Sequence, residues 1–487
     1  MLNTLFHKVA ENLWPVCSII VFLGGSIFIH ELGHFLAARW RGVRALRFSV
    51  GFGPKIFGWT DRHGTEWRLS WLPLGGYVAL PQLADMGDLE GGNGQEWEKL
   101  PPISYTDKLI VAVMGAAFNL LLAVALASVL WQIGRPVPED LATTRVGYVS
   151  KTMVDATGKE VPSPAAVAGV QVGDTIRSID GRPVTDWLGV KEALILGTGV
   201  ANDGSRVAHL SVERNGRLLE IAVNPLRGGD ENVRRIGIAA AYDVIVDTVE
   251  PASAAARLGL QAGDRLQSLG DRTLYGLGDL AEILDQASGD RITLGIRRGE
   301  LNVSLPMSLP PKDRQHLFTG AEFVRGFRLV YQTPWDQVAQ FVGSSFRTLW
   351  SLVSPRGDLG LGNLSGFVAI GGGFWDAAKS DWPFRFGLWF AVMVNVSLAI
   401  FNLMPIPVLD GGQMVFATIA RLRGRPIPFN VVATIQSIFV VLLLSLMLYV
   451  TVGDFRRLAR DNRPVAEEKP TAPDAPAAAP APTPTKP

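Results

Sequence analysis

Residues 13–38 read LWPVCSIIVFLGGSIFIHELGHFLAA. As a helix rising about 1.5 Å per residue, this stretch is long enough to cross a hydrocarbon layer roughly 30 Å thick. It is apolar from Leu13 to Ile29, then carries His30, Glu31 and His34 before returning to Phe35-Leu36-Ala37-Ala38. Ionisable side chains inside an apolar span are costly and face a functional interior. His30-Glu31-Leu32-Gly33-His34 fits H-E-x-x-H, whose i, i+4 spacing puts two imidazoles on one helical face with a carboxylate beside the ion they would hold. The reading is a zinc-binding transmembrane helix. A cleaved signal peptide is disfavoured, because the leading residues are weakly basic and no small-residue cleavage site follows.

Three further apolar runs are free of charge: Leu109 to Ile133, Phe386 to Leu409 and Val431 to Gly453. They account for a chain of 487 residues that is 48% hydrophobic and only 19% charged, with a mean hydropathy of +0.21. The 46 basic and 45 acidic residues leave a net charge of +1, without the positive excess of a dedicated nucleic-acid binder. Cys17 is the only cysteine, so no intrachain disulfide forms. Basic residues crowd the connection between the first two spans (Arg39, Arg41, Arg44, Arg47) and that between the last two (Arg421, Arg423, Arg425). Both loops are therefore expected in the cytoplasm, with the long central section and both termini outside. Arg456, Arg457, Arg460 and Arg463 after the last span pull against that placement of the C-terminus.

A catalytic zinc takes three protein ligands and leaves one position open. None of the other histidines, His7, His63, His209 and His316, is placed to be the third. Asp410 is: it follows the third apolar run in Asn402-Leu403-Met404-Pro405-Ile406-Pro407-Val408-Leu409-Asp410-Gly411-Gly412, where two prolines break the helix and steer the carboxylate inward.

The central section holds a repeat at a constant offset of 90: Ser163, Gly169, Gln171, Gly173, Asp174, Ser178 and Arg182 recur as Ser253, Gly259, Gln261, Gly263, Asp264, Ser268 and Arg272. Two copies of a small α/β module follow, too few for a solenoid. Trp335 to Val353 is amphipathic and is expected along the membrane surface or against the second module. From Pro464 the chain is rich in Pro and Ala and is expected to be disordered.

Taken together, these motifs resemble the site-2 protease family of intramembrane zinc metalloproteases, in its bacterial form with tandem PDZ domains. Gly169 to Asp174 and Gly259 to Asp264 resemble the PDZ cores of that group, and Gly51-Phe52-Gly53-Pro54 and Pro73-Leu74-Gly75-Gly76-Tyr77-Val78 match its first cytoplasmic loop. The chain departs from the family at Ala116, where relatives commonly carry proline. The implied fold is a multi-span α-helical membrane protein with about four transmembrane helices, a cytoplasmic β-rich membrane-associated loop and two inserted PDZ-like domains. The expected divisions are 1–137, 138–227, 228–312, 313–462 and 463–487.

The resemblance implies hydrolysis of a peptide bond in or next to the transmembrane segment of a single-span protein, generally one already trimmed by another protease. Anti-sigma factors and remnant signal peptides are the implied substrates, and the bacterial inner membrane the location. His30, His34 and Asp410 would hold one Zn²⁺, and Glu31 would shuttle the proton. Asn402 and Asn119 are expected to bind the substrate backbone. The β-rich stretches Leu46 to Phe52, Trp67 to Leu72 and Tyr77 to Leu80 offer an edge to which an unwound substrate can add as a strand. A membrane-tethered PDZ scaffold with a vestigial metal site is the competing reading.

Overall fold

The computed structural model describes residues 12–83, 103–197, 199, 206–228, 233–287, 289–309, 314–354 and 366–461. The expected tail, 463–487, lies outside them.

Among the described residues, four helices are long and apolar enough to cross a membrane: Asn12–Trp40 (α1), Tyr105–Ile133 (α2), Pro383–Asn402 and Asn430–Phe455. Between α1 and α2 lie strands β1 (Arg47–Thr60) and β2 (Glu66–Ala79). Their pairing is more than a hairpin. Residues 47–50 are flanked by 76–79 in antiparallel register and by 66–69 in parallel register, and 66–69 also pairs with 57–60. The chain thus reverses near Gly51 and Gly53, both at positive φ, and again near Gly75, which leaves 76–79 at one edge of a small sheet. Phe35 on α1 seals this sheet by packing on Phe48 and Trp67 at centroid distances of 5.5 and 5.1 Å.

Helix α2 opens at Ser104, whose hydroxyl accepts from the Asp107 amide. It runs unbroken through Gly115-Ala116, because alanine at 116 keeps the backbone donor that proline would remove. It closes on Gly134 at φ 75°. The chain then enters the central section through strand Arg135–Pro138, which pairs antiparallel with the exit strand Phe327–Val330, so both ends of the insertion are tied together beside the helix bundle.

Two modules occupy the insertion. The first sheet is ordered 217–223, 208–214, 175–179, 182–183, and the second 301–308, 291–298, 265–269, 244–249, 321–325. Each is covered by one helix, Trp187–Leu196 (α3) in the first and Leu277–Gln286 (α4) in the second. The repeat offset survives in three dimensions: Ile176, Ile179, Val190 and Leu194 are core residues of one module, and Leu266, Leu269, Leu280 and Leu284 of the other. Backbone pairing carries each module beyond the lengths read from the repeat. Strand Ile238–Ala240 completes the first by pairing with Val146–Val149, and Ala321–Arg325 completes the second by pairing with Val244–Val249.

The repeated Gly-x-Gln-x-Gly-Asp has a structural role. Asp174 Oδ2 accepts from the Gln171 amide at 2.9 Å and Asp264 Oδ2 from the Gln261 amide at 2.8 Å. The same buried carboxylates each take a two-pronged ion pair from arginine, Asp174 from Arg214 at 2.7 Å and Asp264 from Arg298 at 2.7 and 2.8 Å. The flanking glycines, Gly169, Gly173, Gly259 and Gly263, all sit at positive φ.

Helix Pro334–Val353 (α5) does not pack on the second module, one of the two placements expected for it. Its apolar face, including Val338, joins Ala123, Ala127 and Leu130 of α2, and Arg347 forms a 2.6 Å ion pair with Glu192 of the first module. The hydrophobic stripe matches the small residues exposed by α2, and that match, not proximity in sequence, decides its partner. Phe367–Lys379 (α6) follows. Its N-terminal amides at Gly366 and Ala369 donate to the buried Asp454 carboxylate, 3.0 and 3.1 Å away.

Pro383–Asn402 (α7) is shorter than the uncharged run Phe386 to Leu409. Residues 403–409 turn, since Pro405 and Pro407 lack amide donors, and Asp410–Arg423 (α8) begins afresh. Gly411 and Gly412 let the first turn of α8 fold back: a β-carbon there would meet the carbonyls of Met404 and Ile406 at 2.3 and 2.1 Å. Phe429–Asp461 (α9) closes the described chain with much of its apolar surface exposed, as at Val441, Leu444 and Leu448.

Candidate metal centre

His30 and His34 are buried on consecutive turns of α1, each 9% exposed, with their rings edge to face at 4.7 Å. The bend before Asp410 brings its carboxylate against them from another part of the chain. The three ligand atoms form a near-equilateral triangle: His30 Nε2 to His34 Nε2 is 3.1 Å, His30 Nε2 to Asp410 Oδ2 is 3.3 Å, and His34 Nε2 to Asp410 Oδ2 is 3.4 Å. Two corners of a tetrahedron around zinc with bonds of about 2.0–2.1 Å lie roughly 3.3 Å apart. Asp410 Oδ2 is nevertheless a buried oxygen without a hydrogen bond. A buried carboxylate oxygen that touches two ring nitrogens and bonds to neither fits a cation better than a proton. Among the described residues this is the only such grouping of three ligands.

Close approach of α1 to α2 creates the site. Gly33 faces the Met114 carbonyl, which a β-carbon would meet at 2.3 Å, and Gly115 faces both imidazoles. From α2, the Val111 carbonyl accepts from His34 Nδ1 at 2.8 Å, which leaves Nε2 free to ligate. Asn119 also faces the centre, its Nδ2 lying 3.3 Å from His30 Nδ1. It is wholly buried. Asn402 ends α7, half-buried, ahead of the bend to Asp410.

Glu31 stands next to His30, with its side chain against the edge strand 76–79. A β-carbon on neighbouring Gly76 would lie 3.5 Å from Glu31 Cγ. The acid is thus held between the ligand triangle and a strand edge. A buried pairing the sequence reading missed lies one turn along α1, where Asn395 of α7 donates to Ser26 Oγ at 2.8 Å and ties α7 to the metal-binding helix. The signal for α2 was present in the four-residue spacing of Val111, Gly115 and Asn119, which puts all three on one helical stripe.

The fold and ligand set define a metalloprotease embedded among membrane-length helices. The model of peptidase family M50 matches residues 18–446, and the chain belongs to that family, the site-2 proteases. Among its relatives is Protease RseP of Yersinia pestis, 30% identical over 92% of this chain and 99% of the relative. The regulator of sigma-E protease RseP of Escherichia coli (strain K12) is 29% identical over the same shares. A putative zinc metalloprotease of Rhizobium meliloti is 27% identical over 86% of this chain and 90% of its own. The chain is a zinc metalloendopeptidase, and His30, His34 and Asp410 are the group that fits the metal. When bound, zinc polarises the carbonyl to be cleaved and brings the pKa of its water to about 7.

Proposed function

We propose that this protease cleaves a peptide bond in or next to the transmembrane segment of single-span membrane proteins. The observation that carries the reading is the position of Glu31, between the His30, His34 and Asp410 triangle and the edge strand 76–79. A helical substrate hides its carbonyls in its own hydrogen bonds, and in a setting without bulk water it must exchange them for others. Strand addition at 76–79 supplies backbone partners and draws the unwound peptide past Glu31. Glu31 takes the proton of the attacking water and delivers it to the leaving amine. Asn402, next to the bend, is suited to hydrogen-bond the substrate backbone.

In this reading the protein lies in the bacterial inner membrane, with loops rich in Arg39, Arg41, Arg421 and Arg423 in the cytoplasm, the site towards that side and the modules outside. The two modules are PDZ-like domains that admit substrates whose outer part has been removed. The relatives named regulators of sigma-E protease point to anti-sigma factors as substrates, and remnant signal peptides fit the same chemistry. The paired strands Arg135–Pro138 and Phe327–Val330 support the gating role, because they hang both modules from one stalk next to α2.

The test is cleavage of a single-span reporter, trimmed or untrimmed, in vesicles containing the protease or a variant lacking residues 140–325, which keeps the stalk. The expected result is that the wild type cuts the trimmed reporter alone and the deletion cuts both. Equal cleavage of both by the wild type would remove the gate. Cleavage of a soluble peptide as efficiently as of the spanning reporter would remove the intramembrane reading.

A further inference from the structure

We infer that Asn119 is a positioning residue for the metal centre: its carboxamide oxygen accepts the Nδ1 proton of His30 and thereby directs the Nε2 lone pair at the metal. The inference rests on the reading of the site as a zinc centre and goes beyond it by assigning the residue that orients the first ligand.

A neutral imidazole that ligates through Nε2 carries its proton on Nδ1, and that proton needs an acceptor. For His34 the acceptor is the Val111 carbonyl at 2.8 Å. For His30 the polar group facing Nδ1 is the side chain of Asn119, 3.3 Å away. With its nitrogen turned to the ring, two things go wrong together. Asn119 Oδ1 is left buried without a hydrogen bond, and Nδ1 must accept, which moves the ring proton to Nε2. That nitrogen is the one 3.3 Å from Asp410 Oδ2 and 3.1 Å from His34 Nε2. The two ends of a carboxamide fill the same volume, so turning the group over costs no space. Oδ1 then gains a donor, Nδ1 keeps its proton, and Nε2 is free to ligate. Val111, Gly115 and Asn119, four residues apart on α2, thus form one stripe with an acceptor for each histidine and, between them, a residue without a side chain to make room for both rings.

The experiment measures zinc retention by the purified full-length protein against graded chelator, for the wild type and for Asn119→Asp, Asn119→Leu and Asn119→Ala. Leu keeps the shape of Asn without an acceptor, Ala removes both, and Asp keeps the acceptor. The expected result is about 10–100-fold weaker zinc binding in the Leu and Ala variants and near wild-type binding in the Asp variant, the range seen when an outer-shell partner of a ligating histidine is lost. Should the Leu variant elute from gel filtration as an aggregate, the Ala and Asp pair carries the comparison. Wild-type affinity in the acceptor-free variants, or equal weakening in all three, overturns the inference. Wild-type protein that binds no zinc overturns instead the metal reading on which it rests.

Discussion

Gly115 lies so close under His34 that a β-carbon built on it would stand 2.3 Å from Nε2, and 2.7 Å from His30 Cε1. Both contacts are far inside van der Waals range, and the neighbours that would have to yield are the ligand rings themselves. Gly115→Ala is expected to leave the protein helical and membrane-inserted while displacing one imidazole. Zinc content should fall at least tenfold and cleavage with it. A Gly115→Ala protein with wild-type zinc content would show that the rings have room to move.

Glu31 sits beside the ligands without being one of the three that converge. Glu31→Gln keeps the shape and removes the base, so zinc is expected to remain stoichiometric while the cleavage rate drops by about 10²–10⁴. Metal analysis alongside reporter cleavage separates the two. Loss of zinc in this variant would make Glu31 a ligand.

Asp410 reaches the histidines because the chain turns at 403–409. Asp410→Ala is expected to lose both zinc and activity, since two imidazoles alone leave the triangle open. Gly412→Ala tests the turn: its β-carbon would meet the Ile406 carbonyl at 2.1 Å, so α8 must shift and carry Asp410 away. Metal affinity is the measurement, and it should fall in both variants.

The buried Asp174 carboxylate depends on Arg214, whose guanidinium also donates to the Gly169 carbonyl at 2.8 Å. Arg214→Ala is expected to destabilise the first module by about 2–3 kcal/mol, less than for a fully buried pair because the arginine is partly exposed. Calorimetry should show one transition moving to lower temperature. The Arg298→Ala change should act likewise on the second module through Asp264.

In the loop sheet, the Arg47 guanidinium, with Lys55, holds the Glu66 carboxyl below its ordinary range. A carboxylate with a lowered folded pKa stabilises the fold above its unfolded pKa, and that contribution is lost as pH falls through the folded value. Acidification should therefore loosen the sheet around the stacked Trp59 and Trp67 and shift their emission to the red. The transition should be shallower in Glu66→Gln. An identical profile in that variant would assign the effect to another group.

The histidine pair, the neighbouring acid and the Asp410 turn were legible in the linear order of residues because each depends on short-range rules: helical periodicity for His30 and His34, proline's missing donor for Asp410. The module repeat was legible for the same reason. Arg214 and Arg298 escaped it, since they fall on strands whose separation from the repeated aspartates differs between the copies. The third apolar run is longer than its helix, which ends at Asn402 ahead of the two prolines expected to break it, because an uncharged stretch signals solubility in lipid and not where hydrogen bonding stops.

By itself, then, the sequence determined which helices suit a bilayer, which side chains can bind zinc, and that one module occurs twice. Only the tertiary structure decided that α2 lies against the metal-binding helix, that Val111 and Asn119 stand behind the histidines, that strand 76–79 presents its edge to Glu31, and that α5 joins the first module and not the second. The physical reason is that these relations come from close packing between segments far apart in the chain, where a missing β-carbon or one matched apolar face settles the contact, and local patterning does not record which surfaces meet.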